Sequence, residues 1–265
     1  MAGAAIRANK VKNRTGLVAM WSLRVWIQAG RKGRTAPLSP QTERSGQSSG
    51  DGLAVPAAVY FAKAPVPGAV KTRLCPPLTT EEACALYEVF LGRVVHPVPG
   101  ARTLVYGWPG EELDRLRATV PGLAPVAGGA RAIELRPQVG ADLWARMIDC
   151  FAGLFAEGHR PVVIRNTDSP DLEMELVTEA IERCEMGTVV LGPDLGGGYY
   201  LVALAAPCPE LFAGLDEGAS TVFGATRRRA EELGLRVEIL PERPDVDTFE
   251  DLVSMWRRRM GPGPQ

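Results

Sequence analysis

The sequence predicts an α/β fold, a largely parallel sheet with helices on both faces. Short apolar runs rich in β-branched and aromatic residues recur along the chain from residue 53. They alternate with stretches whose apolar residues repeat at helical spacing. Repeated strand–helix alternation is the pattern of a sheet whose helices return the chain to one common edge. A chain of 265 residues with 46% hydrophobic content is also long enough and apolar enough for one full-sized core.

The elements follow in order. AAVYFAK (57–63) is the first buried strand, and TTEEACALYEVFLGRVV (79–95) the first helix. Thr79 and Glu82 have the spacing of a capping box, and Ala83, Leu86, Phe90 and Val94 form the apolar stripe. ARTLVYGW (101–108) is the second strand, followed by a short helix from Glu111 to about Thr119 and a third strand in RAIELRP (131–137). ADLWARMIDCFAGLFAEG (141–158) is strongly amphipathic through Leu143, Met147, Phe151 and Leu154, with Gly158 suited to its C-terminal end. PVVIRNTD (161–168) is a strand and LEMELVTEAIERC (172–184) a helix. GTVVLGPD (187–194) and GGYYLVALA (197–205) are two strands with a short connection. A helix from Thr221 to Leu233, the strand RVEIL (236–240) and a closing helix in DTFEDLVSMWRRRM (247–260) complete the pattern.

Residues 53–259 therefore read as one domain. Residues 1–52 are polar and basic, without sustained periodicity, and are expected to be a disordered extension. Residues 260–265 are expected to be a flexible tail. Residues 1–55 hold nine Lys/Arg against two Asp/Glu, a balance of +7, and the rest of the chain holds 21 against 29, a balance of −8. The overall charge of −1 gives no indication of nucleic acid as a partner. Five cysteines without a CxxC pair, and only two histidines, argue against a Cys/His zinc site. An odd cysteine count fits a reducing, cytoplasmic setting. No apolar run reaches the roughly 20 residues of a membrane span.

Ligands of parallel α/β sheets bind beyond the carboxyl ends of the strands. Two segments predicted at that edge carry opposite charge. FAKAPVPGAVKTRL (61–74) follows the first strand. Its Ala64, Pro65 and Pro67 shape a stiff loop, Gly68 allows close approach of backbone, and Lys71 and Arg73 offer cations. Two residues apart in extended chain, Lys71 and Arg73 would share a face. Arg grips phosphate bidentately and Lys acts as a point charge. The GxxxxGK[ST] spacing of a P-loop is absent. VVIRNTDSPDL (162–172) delivers Asp168 and Ser169 after a later strand, and Asp168 is a candidate ligand for Mg²⁺ or Mn²⁺ beside a diphosphate. Asp171 fits the alternative role of helix cap better than Asp168 does. A basic loop and an acidic turn at one edge suit a nucleotide or nucleotide-sugar with its metal.

Three further segments add candidates. In GPDLGGGYYL (192–201), Gly196, Gly197 and Gly198 permit close backbone approach to a sugar, Asp194 is an additional carboxylate, and one of Tyr199 and Tyr200 lines a pocket while the other is core. In PDVDTFEDL (244–252), Asp245 and Asp247 share a face of extended chain, so that one of them would complete a metal site with Asp168. Thr248 and Asp251 would cap the last helix. In PQVGADLWARM (137–147), Gln138 and Asp142 stand at a strand-to-helix turn where substrate hydroxyls would bind, and Asp142 equally suits a helix cap.

FAKAPVPGAVKTRL, PQVGADLWARM, TDSPDL, GPDLGGGYYLVAL and DVDTFEDL, in that order, resemble a bacterial family of GT-A-type transferases. Its members are described as a domain of unknown function, or as arsenosugar-biosynthesis or radical-SAM-associated glycosyltransferases. The resemblance covers roughly residues 55–255. It implies a Rossmann-like nucleotide-diphospho-sugar transferase fold, a nucleotide-sugar donor, a small-molecule acceptor and a divalent metal. It further implies that Lys71 and Arg73 contact the nucleotide phosphates, that Asp168 binds the metal, and that Asp247 lies near it. In much of that family an acidic residue stands where this chain has Gly196; if that carboxylate serves catalysis, Asp194 must substitute for it or activity is reduced, and Asp245 is the other catalytic candidate. Trp144 stands where a glycine is common, which would narrow an acceptor pocket. The expected activity is metal-dependent glycosyl transfer. The alternatives are nucleotidyl transfer to a phosphorylated small molecule, as in 2-phospholactate guanylyltransferase, and nucleotide binding without catalysis on a degenerate scaffold.

Overall fold

The computed structural model describes residues 54–123, 133–215 and 222–260. The expected extension (1–52) and most of the expected tail (260–265) lie outside the described residues, although the last helix runs to Met260.

Seven strands form one sheet: β1 (Ala57–Lys63), β2 (Arg102–Trp108), β3 (Glu134–Pro137), β4 (Val162–Arg165), β5 (Thr188–Pro193), β6 (Tyr199–Leu204) and β7 (Arg236–Ile239). Their order is β3-β2-β1-β4-β6-β5-β7. All neighbouring pairs are parallel except those of β6, which runs against both β4 and β5. The carboxyl ends of β1 to β5 and β7 thus share one edge, and the β5–β6 turn closes at that same edge.

Among the described residues six helices cover the sheet: α1 (Thr80–Val94), α2 (Leu113–Thr119), α3 (Leu143–Ala156), α4 (Met174–Arg183), α5 (Val222–Glu232) and α6 (Phe249–Met260). Side chains alternate along β1. Ala58, Tyr60 and Ala62 join a core with α1, α2, α4 and α6, whereas Ala57 and Val59 join a second core with α3 and α5. Both faces are therefore covered, which is why the strands read as continuous apolar runs. The stripe read from the sequence of α3 is the buried one, through Met147, Phe151 and Leu154. Truncating a fully buried leucine such as Leu154 to alanine would remove about 2–5 kcal/mol of stability.

The capping box of α1 is present in both directions, Glu82 N–H to Thr79 and Thr79 N–H to Glu82. The fourth strand is shorter than expected. Pairing ends at Arg165, after which Asn166 N–H donates to the Tyr200 carbonyl at 2.9 Å and the chain turns. Asp171 does not cap α4, whose N-cap is Glu173 without a side-chain bond. Asp171 instead accepts from Arg259 Nε of α6 at 2.6 Å.

Candidate nucleotide-binding site

The loop after β1 leaves the sheet under tight control. Ala64 N–H donates to the Trp108 carbonyl at 2.7 Å, and Ala64 and Pro65 are buried. Gly68 takes φ +80°, and Lys71 takes φ 50°, the only positive φ of a non-glycine among the described residues. A single 3₁₀ turn, Thr72–Leu74, follows. The segment is therefore not extended at Lys71–Arg73, contrary to the expectation from spacing. The turn nevertheless sends both cations toward one carboxylate, Asp247.

The turn after β4 is held from below. The hydroxyl of Tyr87 in α1 lies 2.8 Å from Thr167 Oγ1 and accepts from Lys63 N–H at 3.0 Å. Thr167 Oγ1 donates in turn to the Phe61 carbonyl at 3.3 Å. Burial pushes the Tyr87 phenol well above its ordinary range, so it stays protonated and can donate. Behind the turn, buried Arg165 donates to the carbonyls of Ser169 and Asn166, both at 3.3 Å, and lies 5.4 Å from the Tyr60 ring centroid. Burial lowers its guanidinium to about 10, still charged at neutral pH.

The third segment arrives after β7. Val246 is buried, and its N–H donates to the Asp168 carbonyl at 3.0 Å. Thr248 and Asp251 cap α6 reciprocally, and Asp251 also accepts from Asp247 N–H at 3.2 Å. This cap fixes the backbone from which Asp247 projects.

The three segments meet at Lys71. Its Nζ lies 2.6 Å from Asp168 Oδ1, 2.6 Å from the Val246 carbonyl and 3.4 Å from Asp247 Oδ1. Arg73 Nη1 reaches the other Asp247 oxygen at 3.2 Å. The Lys71 side chain is 5% exposed, whereas those of Asp168 and Asp247 are 39% and 42% exposed. These residues border a cavity of about 540 Å³ at the carboxyl edge, also lined by Phe61, Tyr87, Trp108, Gln138, Arg146 and Asn166. That volume is within the usual range for small-molecule sites. The Gln138 amide nitrogen donates to the carbonyls of Tyr106 (2.7 Å) and Ala62 (3.4 Å), which leaves its amide oxygen as the acceptor for a ligand. The Arg146 guanidinium stands 4.5 Å over the Trp108 ring.

Lys71, Arg73, Gln138, Asp168 and Asp247, all singled out from the sequence, therefore line one cavity. Other candidates stand elsewhere. Asp142 caps α3, accepting from Ala145 N–H at 2.8 Å. Ser169 is 1% exposed. Asp194 folds back on its own turn, where Oδ1 accepts from Gly196 N–H (2.8 Å) and Gly198 N–H (2.9 Å). Burial raises the Asp194 carboxyl, and the two amides oppose that rise. Gly197 supplies φ +89° to the turn. A Cβ on Gly198 would stand 2.7 Å from Asp194 Oδ2, so Gly198 leaves the space that the wrapped carboxylate takes. Tyr200 is core, with its hydroxyl on the Pro241 carbonyl, and the Tyr199 ring tilts against Trp144 at 6.4 Å. Trp144 is 7% exposed and stacked on Phe212 at 6.2 Å, so it narrows no part of the cavity. Asp245 is pushed up to about 7, by burial first and then by the charges of Asp247 and Asp194.

Tyr87, Thr167, Trp108, Arg146 and the Val246 carbonyl escaped the sequence reading. Tyr87 is hidden because it belongs to the apolar stripe of α1, one turn after Ala83. For Trp108 the available signal was its position at the last residue of a strand, beside the predicted edge.

The sheet order, its single antiparallel strand and a charged cavity at the carboxyl edge define a Rossmann-like nucleotide-diphospho-sugar transferase fold. A solved protein from Desulfovibrio desulfuricans G20, provisionally assigned as a nucleotide-diphospho-sugar transferase, is similar at a TM-score of 0.71 and 28% identity. The similarity covers 80% of this chain and 90% of that one. Residues 111–219 match the family described as "uncharacterized protein conserved in bacteria (DUF2064)", and the family resemblance drawn from the motifs is borne out. More distant likenesses are a cytidylyltransferase from Leptospira borgpetersenii (TM-score 0.49, 10% identity, covering 77% and 85%) and a nucleotidyl transferase from Methanothermobacter (TM-score 0.47, 14% identity, covering 75% and 95%). No curated protein matches the chain. Among the described residues no helix is long and apolar enough to cross a membrane, and no group of three or more His, Cys, Asp or Glu is arranged to hold a metal ion.

Proposed function

We propose that this protein is a glycosyltransferase that takes a nucleotide-diphospho-sugar as donor and a small molecule as acceptor. The observation that carries the proposal is the convergence of Lys71, Arg73, Asp168 and Asp247 on one cavity at the carboxyl edge. Cations from the loop after β1 suit the diphosphate, and Gln138, Trp108 and Arg146 offer hydrogen-bonding and planar surfaces to the rest of the donor.

A divalent cation fits this donor set only together with the ligand. Two carboxylates and a carbonyl are too few for a dedicated protein cage, but Mg²⁺ commonly takes one or two carboxylates and completes its shell with phosphate oxygens and water. Asp168 and Asp247 would hold it. Bound there, it would help neutralise charge on the leaving diphosphate. Asp194 is committed to its glycine turn and Asp245 is not among the residues that line the cavity, so neither is placed against the acceptor hydroxyl.

The test is a thermal-shift panel of nucleoside diphosphates, nucleotide-sugars and nucleoside triphosphates, with and without Mn²⁺, followed by product analysis. Stabilisation by a nucleotide-sugar with metal, and release of nucleoside diphosphate on turnover, is the expected result. Pyrophosphate release from a triphosphate would replace the proposal with nucleotidyl transfer. Stabilisation without turnover across a broad acceptor panel would replace it with a binding function.

A further inference from the structure

The place between Asp168 and Asp247 is taken by the chain's own cation. The Lys71 ammonium has three protons, and three oxygens face it: Asp168 Oδ1 at 2.6 Å, the Val246 carbonyl at 2.6 Å and Asp247 Oδ1 at 3.4 Å. Its side chain is almost wholly buried, while both carboxylates remain partly open to the cavity. The backbone is committed to the arrangement. Lys71 adopts a left-handed conformation that side chains other than glycine seldom take, and Leu74 N–H closes on its carbonyl at 3.0 Å.

A divalent cation shared by these carboxylates would have to approach their oxygens to about 2.0–2.6 Å. The ammonium already stands against the same oxygens. Two cations so close repel strongly in a partly buried site, so the two occupancies exclude each other. Ligand phosphates change the balance, because they offer Lys71 another anion and the metal additional oxygens at the same time.

We infer that Lys71 is an internal counter-ion that competes with the divalent cation for Asp168 and Asp247, so that metal enters with the nucleotide and not before it. This rests on the proposed nucleotide–metal reading of the cavity. It makes Lys71 more than a phosphate contact: it keeps the acidic pair partly neutralised and blocked until a phosphate ligand draws it away.

The experiment is Mn²⁺ titration, followed by electron paramagnetic resonance and calorimetry, of the wild type, Lys71→Gln, Lys71→Met and Asp168→Asn. Each is titrated with and without a nucleoside diphosphate, after circular dichroism has confirmed folding. Lys71→Gln keeps a polar side chain without the charge, and Lys71→Met removes the hydrogen bonds as well. Without nucleotide, both Lys71 variants are expected to bind Mn²⁺ about tenfold or more tightly than wild type, a coupling of ordinary size for linked ligands. Asp168→Asn should lose the Mn²⁺ binding that the wild type shows with nucleotide. Mn²⁺ affinity that is equal or weaker in the Lys71 variants overturns the inference, while a loss confined to Asp168→Asn leaves the metal reading standing. Absence of Mn²⁺ binding in every protein, with nucleotide as without, removes both.

Discussion

The hydroxyl of Tyr87 lies 2.8 Å from that of Thr167, so a helix from the start of the domain is bonded to the turn that carries Asp168. The same phenol accepts from Lys63 N–H at the end of β1. One side chain thus sets the spacing between the basic and acidic halves of the cavity. Tyr87→Phe would leave the part-buried Lys63 N–H without its acceptor and the Thr167 hydroxyl with the Phe61 carbonyl alone, a loss of about 0.5–1.5 kcal/mol. Chemical denaturation should show that loss, and calorimetry should show weaker nucleotide binding. Unchanged stability and affinity would deny Tyr87 this role.

Asp168→Asn is expected to fold, because the side chain is partly exposed and the Val246–Asp168 bond runs through the backbone. Turnover should fall on the order of 10²-fold or more, the scale seen when a preorganised charge partner of a reacting group is removed. Wild-type kinetics in a correctly folded D168N protein would show that the carboxylate is not part of the chemistry.

Gly198→Ala tests the wrapped turn. The added methyl would meet Asp194 Oδ2 at 2.7 Å, closer than real contacts allow. Either Asp194 shifts or the turn opens, and overpacking of this kind costs about 1–3 kcal/mol. Thermal denaturation should record the loss. The double variant Asp194→Ser, Gly198→Ala should recover part of it if contact with the carboxylate is the cause.

Arg165 separates stability from site order. It is a buried cation whose described hydrogen bonds go to backbone carbonyls. Removing a desolvated charge offsets part of the cost of leaving the two carbonyls without this donor. Arg165→Met should therefore change unfolding free energy by less than about 1.5 kcal/mol, while releasing the Asn166 and Ser169 carbonyls and loosening the turn. Nucleotide affinity should drop severalfold with stability nearly intact. Equal losses in both would make Arg165 purely structural.

A pH effect is expected far from the cavity. Glu157 accepts from Arg136, which holds its carboxyl below the ordinary range against the opposing effect of burial. Burial raises Glu134, but bonds from Arg136 and Arg102 outweigh it and the net shift is also downward. A carboxyl lowered in the folded state stabilises above its unfolded pKa, and that contribution disappears as pH falls through the folded one. Melting temperature should therefore fall from about pH 5 toward pH 3, and more steeply for the wild type than for Arg136→Met. Equal slopes would remove the network from the acid response.

Most of the fold was legible because buried parallel strands must be apolar throughout and their covering helices must be striped. Val162–Ile164 and Met147–Phe151–Leu154 could be read on that ground alone. The charges of the site were legible as a basic loop after one strand and an aspartate after another. Their pairing was not. Spacing suggested that Lys71 and Arg73 point together from extended chain, and nothing in a lysine signals a left-handed backbone. Asp194 read as a free carboxylate because the turn that closes on it is visible only in three dimensions. Trp144, which the family resemblance suggested would narrow a pocket, instead stacks on Phe212, far along the chain.

The contact between Lys71 and the Val246 carbonyl joins residues 175 positions apart. During synthesis, the basic loop emerges long before the segment that completes its surroundings. Only when Leu252 and Met255 of α6 seat in the core can Val246 and Asp247 reach it. Ligand competence therefore arrives with the last helix, and a chain interrupted before residue 245 would lack both the second carboxylate and the packing that brings it into place. On the proposed reading, nucleotide binding is a report on complete folding, and proteolytic release of α6 would silence the site without cutting any residue of the cavity's first four strands.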